Sequence, residues 1–478
     1  MTDANKTDIT LLCKVVDNFG DIGVVYRLAR SLTDYFKRIE GQKASAQEAT
    51  SSTEAGLSAQ DSASSTEISS LSGEGPSASH KNHPFKLRII ADNLESFHLL
   101  CPAVDPSKDF QVEPENGWEI YNWNADDTCL EAFRKNQPHI IVECFQCGRP
   151  EWLETLLFTE KVPEIVHIIM LDYLTAEDYA ETFHKLQSLT RSARVQKVNF
   201  MPGFTDKTGG LILDEPFMKA LEESSTESRP ACTAATNSRS TAITSSQKSP
   251  FTAIFFSYPR DWTPAVRALQ KFNLERCDGK LKVLLAKGAG FESFKTAWEK
   301  EESSQNIVSS KVSTAAPAKN IDLQSEKASA PQENVSQGVF HLSPLPFLPQ
   351  TEWDALLTKT PLLFIRGEDS LSRACLCGVP FIWHAYPQTE EYQLVKVNAL
   401  LEKLRPYFTP KNFQIIQKCW VTYNTTDSAA EALERDLTDF LMAYDTLCSG
   451  FTSFSRDLLK NGDLSEHLVE FIGERVLA

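Results

Sequence analysis

The sequence predicts an α/β protein built from two doubly wound domains, and three observations carry that reading. Short apolar runs alternate with stretches of helical periodicity, the signature of a parallel sheet with crossover helices. The same alternation starts again near residue 250. The 478 residues also exceed what one hydrophobic core ordinarily organises, while a 41% share of hydrophobic residues suffices for two cores.

In the first half the expected strands are 10–16, 86–91, 139–143 and 164–171. The helix after the first strand carries Val25, Leu28, Ala29, Leu32 and Phe36 on one face, a 3.6-residue period, with Arg27 and Arg30 on its polar face. In the second half the expected strands are 251–257, 280–286, 339–342, 361–365 and 380–384. From 390 onward the chain reads as helical, ending in 464–477. Three segments, 41–83, 222–249 and 301–337, are rich in Ser, Thr, Ala, Glu and Gln and nearly free of aromatics. They lack the apolar surface to offset chain entropy and are expected to be mobile loop insertions. The resulting division is a domain at 1–212, a low-complexity linker at 213–249, a second domain at 250–445, and terminal helices at 446–478 that return to brace the first domain. Sites are expected in a cleft between the halves, at the carboxyl ends of strands.

Charge narrows the function. The 48 Lys and Arg against 64 Asp and Glu leave a net charge of −16, which argues against a general nucleic-acid binder and suits a basic partner. The first residues lack a basic and apolar leader pattern, and no apolar run is long enough to span a bilayer, so a soluble, cytoplasmic protein is expected. Eleven cysteines, an odd number scattered over a long chain, fit reduced thiols.

Two strand-to-helix loops stand out. In CKVVDNFGDIGVVYRLARS, Asp17 and Asp21 flank a glycine-bearing turn before a helix starting near residue 22. Gly20 and Gly23 permit tight turns and close approach of a ligand. Asp21 fits a catalytic carboxylate, and it equally fits an N-cap accepting first-turn amides. The second loop, Arg366-Gly367-Glu368-Asp369-Ser370, precedes a helix whose free amides and serine hydroxyl suit phosphate oxygens. Its carboxylates would repel phosphate, so Glu368 suits neutral hydroxyls; a capping cluster is the competing reading.

Aromatic residues gather near these loops: Phe255, Phe256 and Tyr258 at the end of one strand, and Phe347, Gln350 and Trp353 in PFLPQTEW. A flat base can stack on such rings while Gln350 reads its edge, although aromatics at strand ends also serve as core. MPGFTDKTGG is turn-rich and fits either a cleft lining or an interdomain connection. Cys144 and Cys147 form a lone CxxC, and Cys375 with Cys377 a CxC; neither has the paired spacing of a structural zinc site, so no metal is expected. The sequence carries no Walker A loop, strand-anchored GxGxxG or GxSxG elbow. His384 ends an apolar run and reads as a satisfied structural histidine.

KVVDNFGDIGVVYRLARSL, LDYLTAEDY, MPGFTDKTGGL, RGEDSLSRA and VPFIWHAYPQ, in this order, resemble the EarP family of protein-arginine rhamnosyltransferases. The resemblance covers nearly all of the chain outside the three insertions. It implies a GT-B fold, two Rossmann-like domains facing across a cleft. It also implies inverting transfer of L-rhamnose from dTDP-β-L-rhamnose to an arginine of translation elongation factor P, without a cofactor or required metal. By the same resemblance Asp17 and Asp21 match the family's paired aspartates, with Asp21 as general base, and Glu368 matches its essential glutamate. Phe256, Tyr258, Phe347, Gln350, Asp369 and Ser370 fall to the nucleotide-sugar pocket, and Trp353 stands where the family can place phenylalanine. Arg366 joins them on chemical grounds, as a fixed donor for the departing diphosphate. A GT-B enzyme with another nucleotide sugar or a small-molecule acceptor, and an inactive scaffold that binds translation factors, are the alternatives.

Overall fold

A computed structural model describes residues 7–15, 20–56, 85–160, 162–226, 250–313 and 339–475. The chain divides into two compact units. The first comprises Met1–Leu174, Tyr179–Glu215 and Asn461–Ala478, and the second Thr175–Asp178 and Pro216–Lys460.

The strands of the first unit are β1 (Thr7–Cys13), β2 (Phe85–Ala91), β3 (Phe110–Val112), β4 (Glu119–Asn122), β5 (Ile140–Cys144), β6 (Val166–Leu171), β7 (Gln187–Ser188) and β8 (Val195–Phe200). They lie in the order β3-β4-β2-β1-β5-β6-β8-β7, parallel throughout except for the antiparallel edge strands β3 and β7. This is a doubly wound arrangement, and the direction of winding reverses between β1 and β5. β1 is buried on both faces: Ile9, Leu11 and Cys13 enter one apolar cluster and Leu12 the other. It ends three residues short of the expected 10–16, because the Val15 amide leaves the ladder and donates to Asp92 Oδ1 at 2.8 Å.

Helix α1 (Gly20–Gly56) lays Ile22, Val25, Leu28, Ala29 and Leu32 on this sheet. Arg27, assigned to its polar face, is instead fully buried. Its guanidinium meets Asp214 at 3.1 Å, with both side chains sealed from water, and Arg30 reaches the same carboxylate at 3.2 Å. A buried arginine is tolerated because that carboxylate compensates its charge.

The helices between α1 and the second unit are α2 (Leu94–Leu100), α3 (Asp126–Lys135), α4 (Glu151–Phe158) and α5 (Tyr179–Phe183), followed by α6 (Glu215–Thr226). The second unit continues with strands β9 (Thr252–Phe255), β10 (Lys282–Ala286), β11 (His341–Leu345), β12 (Leu362–Arg366) and β13 (Phe381–His384). All are parallel, in the order β11-β10-β9-β12-β13, so the winding reverses between β9 and β12. β11 runs on to Leu345, past the expected 339–342 and through Pro344; an edge strand can hold proline because one side of its ladder is unpaired. Its helices are α7 (Thr263–Arg276), α8 (Phe291–Ser313), α9 (Gln350–Lys359), α10 (Glu368–Cys377), α11 (Gln393–Leu404), α12 (Pro410–Asn424), α13 (Ala430–Met442) and α14 (Tyr444–Lys460).

The terminal helix α15 (Leu464–Arg475) belongs to the first unit, where Leu464, Leu468 and Ile472 enter the core beside α1. The MPGFTDKTGG turn is locked to it. The Leu464 amide donates to Leu211 O at 2.9 Å, and a Cβ on Gly209 would sit 2.7 Å from both Leu464 and Phe200 side-chain atoms. The segments read as loop insertions begin as helix: α1, α6 and α8 run into them to Gly56, Thr226 and Ser313. These stretches contain Ala, Glu, Gln and Lys and no proline, so nothing in them breaks a helix already started. The rest of each segment lies outside the described residues.

Candidate active site

In the first unit the loops after β1, β5 and β6 emerge at the carboxyl end of the sheet, around the point where winding reverses. Asp17 lies outside the described residues. Asp21 lies inside the first turn of α1, which starts at Gly20, so it is not the residue preceding the helix that an N-cap reading requires. It is 4% exposed, and Oδ1 accepts a hydrogen bond from the Tyr173 hydroxyl at 3.2 Å. Tyr173 follows β6 and stacks on Phe145 with ring centroids 4.8 Å apart. Phe145 and Gln146 both take positive φ, 59° and 52°, in the tight turn that joins Cys144 to Cys147. That backbone is uncommon for non-glycine residues and is held by the Phe145 amide on Leu171 O and by Gln146 on Asp172 at 2.9 Å. The CxxC therefore shapes the turn. Cys144 is fully buried, burial raises its thiol pKa, and burial pushes Cys147 up to about 12. Among the described residues no group of three or more His, Cys, Asp or Glu is arranged to hold a metal ion.

Tyr173 was the member of this site that sequence reasoning missed. Its signal was available: an aromatic hydroxyl two residues past a strand that neighbours the reversal point.

In the second unit the corresponding end of the sheet gathers an arginine and several rings. Phe256 follows β9, its amide donating to Phe364 O of β12 at 2.9 Å. Arg366 closes β12, and its guanidinium carbon lies 4.5 Å from the Phe256 ring centroid and 4.8 Å from that of Tyr258. Trp353 of α9 meets Phe256 edge-on at 5.5 Å. Among the described residues Arg366 makes no ion pair, and its Nε is buried without a hydrogen-bond partner. The charge is held by π faces and remains available to an anion.

Glu368, Asp369 and Ser370 are the first three residues of α10, all half-buried, after Gly367 at φ 74°. Their amides precede the first intrahelical acceptors and point out of the helix. Phe347 stands 51% exposed between β11 and α9, and Gln350 opens α9 one turn before Trp353. The structure thus brings Phe256, Tyr258, Arg366 and Trp353 into direct contact and sets Glu368, Asp369 and Ser370 next to Arg366 in the chain.

A polar scaffold supports this cluster from below. His384 Nδ1 accepts the Tyr258 amide at 3.1 Å, and burial, with Arg260 and Arg366 nearby, lowers its pKa to about 3. His384 is therefore a neutral structural acceptor. Asn424 binds Ala385 N and Trp383 O at 2.8 and 2.9 Å, fixing the end of β13, and Ser257 Oγ lies 2.6 Å from the Tyr423 hydroxyl.

A buried carboxylate in the first unit suits proton transfer, and in the second an arginine that makes no ion pair among the described residues, set among aromatic rings beside a helix start, suits diphosphate binding. Two Rossmann-like units are the architecture of the GT-B glycosyltransferases. Residues 9–40 and 78–473 match the family described as "Elongation-Factor P (EF-P) rhamnosyltransferase EarP", and the chain belongs to that family. A protein-arginine rhamnosyltransferase of Shewanella oneidensis is 27% identical over 403 residues, covering 84% of this chain and 81% of the relative. One of Pseudomonas aeruginosa is 24% identical over 433 residues, covering 90% and 91%. A solved structure described as "Structural basis for EarP-mediated arginine glycosylation of translation elongation factor EF-P" aligns with 98% of this chain and 100% of that one, at 15% identity and a TM-score of 0.47.

Proposed function

We propose that this protein transfers L-rhamnose from dTDP-β-L-rhamnose, with inversion, to an arginine side chain of translation elongation factor P in the cytoplasm. The observation that carries the proposal is membership of the EF-P rhamnosyltransferase family over a match that includes both candidate loops.

An arginine guanidinium is protonated and a poor nucleophile in water, so the reaction needs it oriented and relieved of a proton. Asp21 is the general base, its carboxylate steadied by the Tyr173 hydroxyl. Asp17 holds the planar fork of the acceptor bidentately. As the guanidinium nitrogen bonds to the anomeric carbon, the bond from that carbon to the diphosphate oxygen breaks, the proton passes to Asp21, and dTDP departs with the electron pair. Arg366, the first amides of α10 and Ser370 meet the charge growing on the diphosphate. Glu368 positions sugar or acceptor, and Phe256, Tyr258, Phe347, Gln350 and Asp369 bind the nucleotide sugar. No resident cofactor or metal enters this scheme.

The test is thermal stabilisation by dTDP, UDP and GDP, followed by turnover of dTDP-β-L-rhamnose with elongation factor P. Stabilisation by dTDP and release of dTDP that depends on elongation factor P are expected. Stabilisation by UDP or GDP alone, or turnover only with a small-molecule acceptor, would overturn the assignment.

A further inference from the structure

The turn between β10 and α8, residues 287–290, is absorbed by none of the assignments above, although it lies beside them. β10 pairs with β9 in parallel, so the residues leaving β10 run next to those leaving β9. Gly288 is exposed, yet a Cβ built on it would lie 2.9 Å from Phe256 Cε2 and 3.3 Å from Arg366 Nη2. The first separation is closer than real Cβ atoms come to any neighbour. Gly290 is buried, and a Cβ there would overlap the Ser257 carbonyl oxygen and lie 3.0 Å from Tyr258 O. Neither glycine has positive φ. What a side chain would meet at either position is therefore a matter of space and not of backbone conformation.

The two positions differ in what they press on. At Gly290 the obstacle is backbone, so a side chain there would force the strand end apart. At Gly288 the obstacles are the Phe256 ring and the tip of Arg366, the very groups whose stacking holds the guanidinium at 4.5 Å from that ring. The Lys287 amide donates to Leu345 O at 3.2 Å, tying the start of the turn to β11, and the Phe291 amide donates to Gly288 O at 3.1 Å, closing the turn onto α8.

We propose that Gly288 is a positioning residue for donor binding: its missing side chain lets Phe256 and Arg366 stack in register and leaves the guanidinium facing the donor's diphosphate. This rests on the proposed role of Arg366. A methyl group at 288 turns the ring or displaces the guanidinium, and the loss falls on the nucleotide, not on the protein acceptor or the proton transfer.

The experiment uses the full chain with dTDP, UDP and GDP as calorimetric probes, plus steady-state kinetics with dTDP-β-L-rhamnose and elongation factor P. Whichever diphosphate the wild type binds is the probe, so an error in donor identity appears in the wild type and an error about Gly288 only in the variant. Gly288→Ala is expected to weaken the diphosphate and raise the donor KM about tenfold, one contact's worth, with acceptor KM unchanged and kcat within about threefold. Phe256→Leu shortens the ring that obstructs position 288, so adding Gly288→Ala to Phe256→Leu should cost little further affinity, a non-additivity typical of contacting pairs. A folded Gly288→Ala with wild-type diphosphate affinity overturns the proposal, as does full additivity with Phe256→Leu. If Gly288→Ala does not fold, the double variant decides alone. Affinity equal to that of Phe256→Leu supports the proposal, and failure of the double variant to fold makes Gly288 a folding determinant and overturns it.

Discussion

Lowering the pH should destabilise the second unit through His384, and the size of the effect follows from its surroundings. The ring is 4% exposed, and its Nδ1 is committed to the Tyr258 amide. Burial and the nearby arginines lower its folded pKa to about 3. An unfolded histidine titrates near 6.5, so between the two values the unfolded chain binds a proton that the folded one refuses. Stability therefore rises with pH across this window; it is complete above the unfolded value and is lost progressively as pH falls toward about 3. Between pH 7 and pH 5 the single-site loss is about 2 kcal/mol. His384→Asn keeps an acceptor where Nδ1 lies and removes the titration, so other carboxylates and histidines cancel in the comparison. Denaturant unfolding of both proteins at several pH values, followed by a signal from the second unit, should give a shallower pH slope for the variant by that amount. Parallel slopes would refute the argument that His384 is neutral and buried in the fold.

The remaining predictions concern the first unit and the donor. Asp214→Ala removes the carboxylate that meets the sealed Arg27 and should destabilise the first unit by about 3–5 kcal/mol in chemical denaturation; a loss below about 1 kcal/mol would refute the argument that this ion pair stabilises the fold. Asp21→Asn should abolish transfer while dTDP affinity, read by calorimetry, stays within about threefold; lost nucleotide binding would remove Asp21 from the role of base. Ser370→Ala should weaken dTDP by about threefold to tenfold, and unchanged affinity would count against the helix start as a phosphate site.

Much of the fold was legible because buried parallel strands announce themselves. β12 opens on the apolar run Leu362–Ile365 and leads through Arg366 and Gly367 into a helix, and β1 is apolar at Ile9 and from Leu11 to Cys13. β8, Val195–Phe200, was not legible: Gln196, Lys197 and Asn199 interrupt it, and only its place in the sheet makes it a strand. The short edge strands β3 and β7 carry too few residues to show a period. The cluster of Phe256, Tyr258 and Arg366 could be anticipated, since strand ends bring such residues to one rim. Arg27 could not, because its partner Asp214 is 187 residues away and an arginine at helical spacing reads as solvated. The crowding at Gly288 was equally hidden, for it depends on two side chains at the ends of other strands.

The most direct test of the central claim is the intact mass of elongation factor P after incubation with this protein and dTDP-β-L-rhamnose, followed by peptide mapping. The account predicts a gain of one deoxyhexose located on an arginine, and no gain with Asp21→Asn. An unmodified acceptor in the presence of folded, dTDP-binding protein, or a sugar placed on any other residue type, would contradict it.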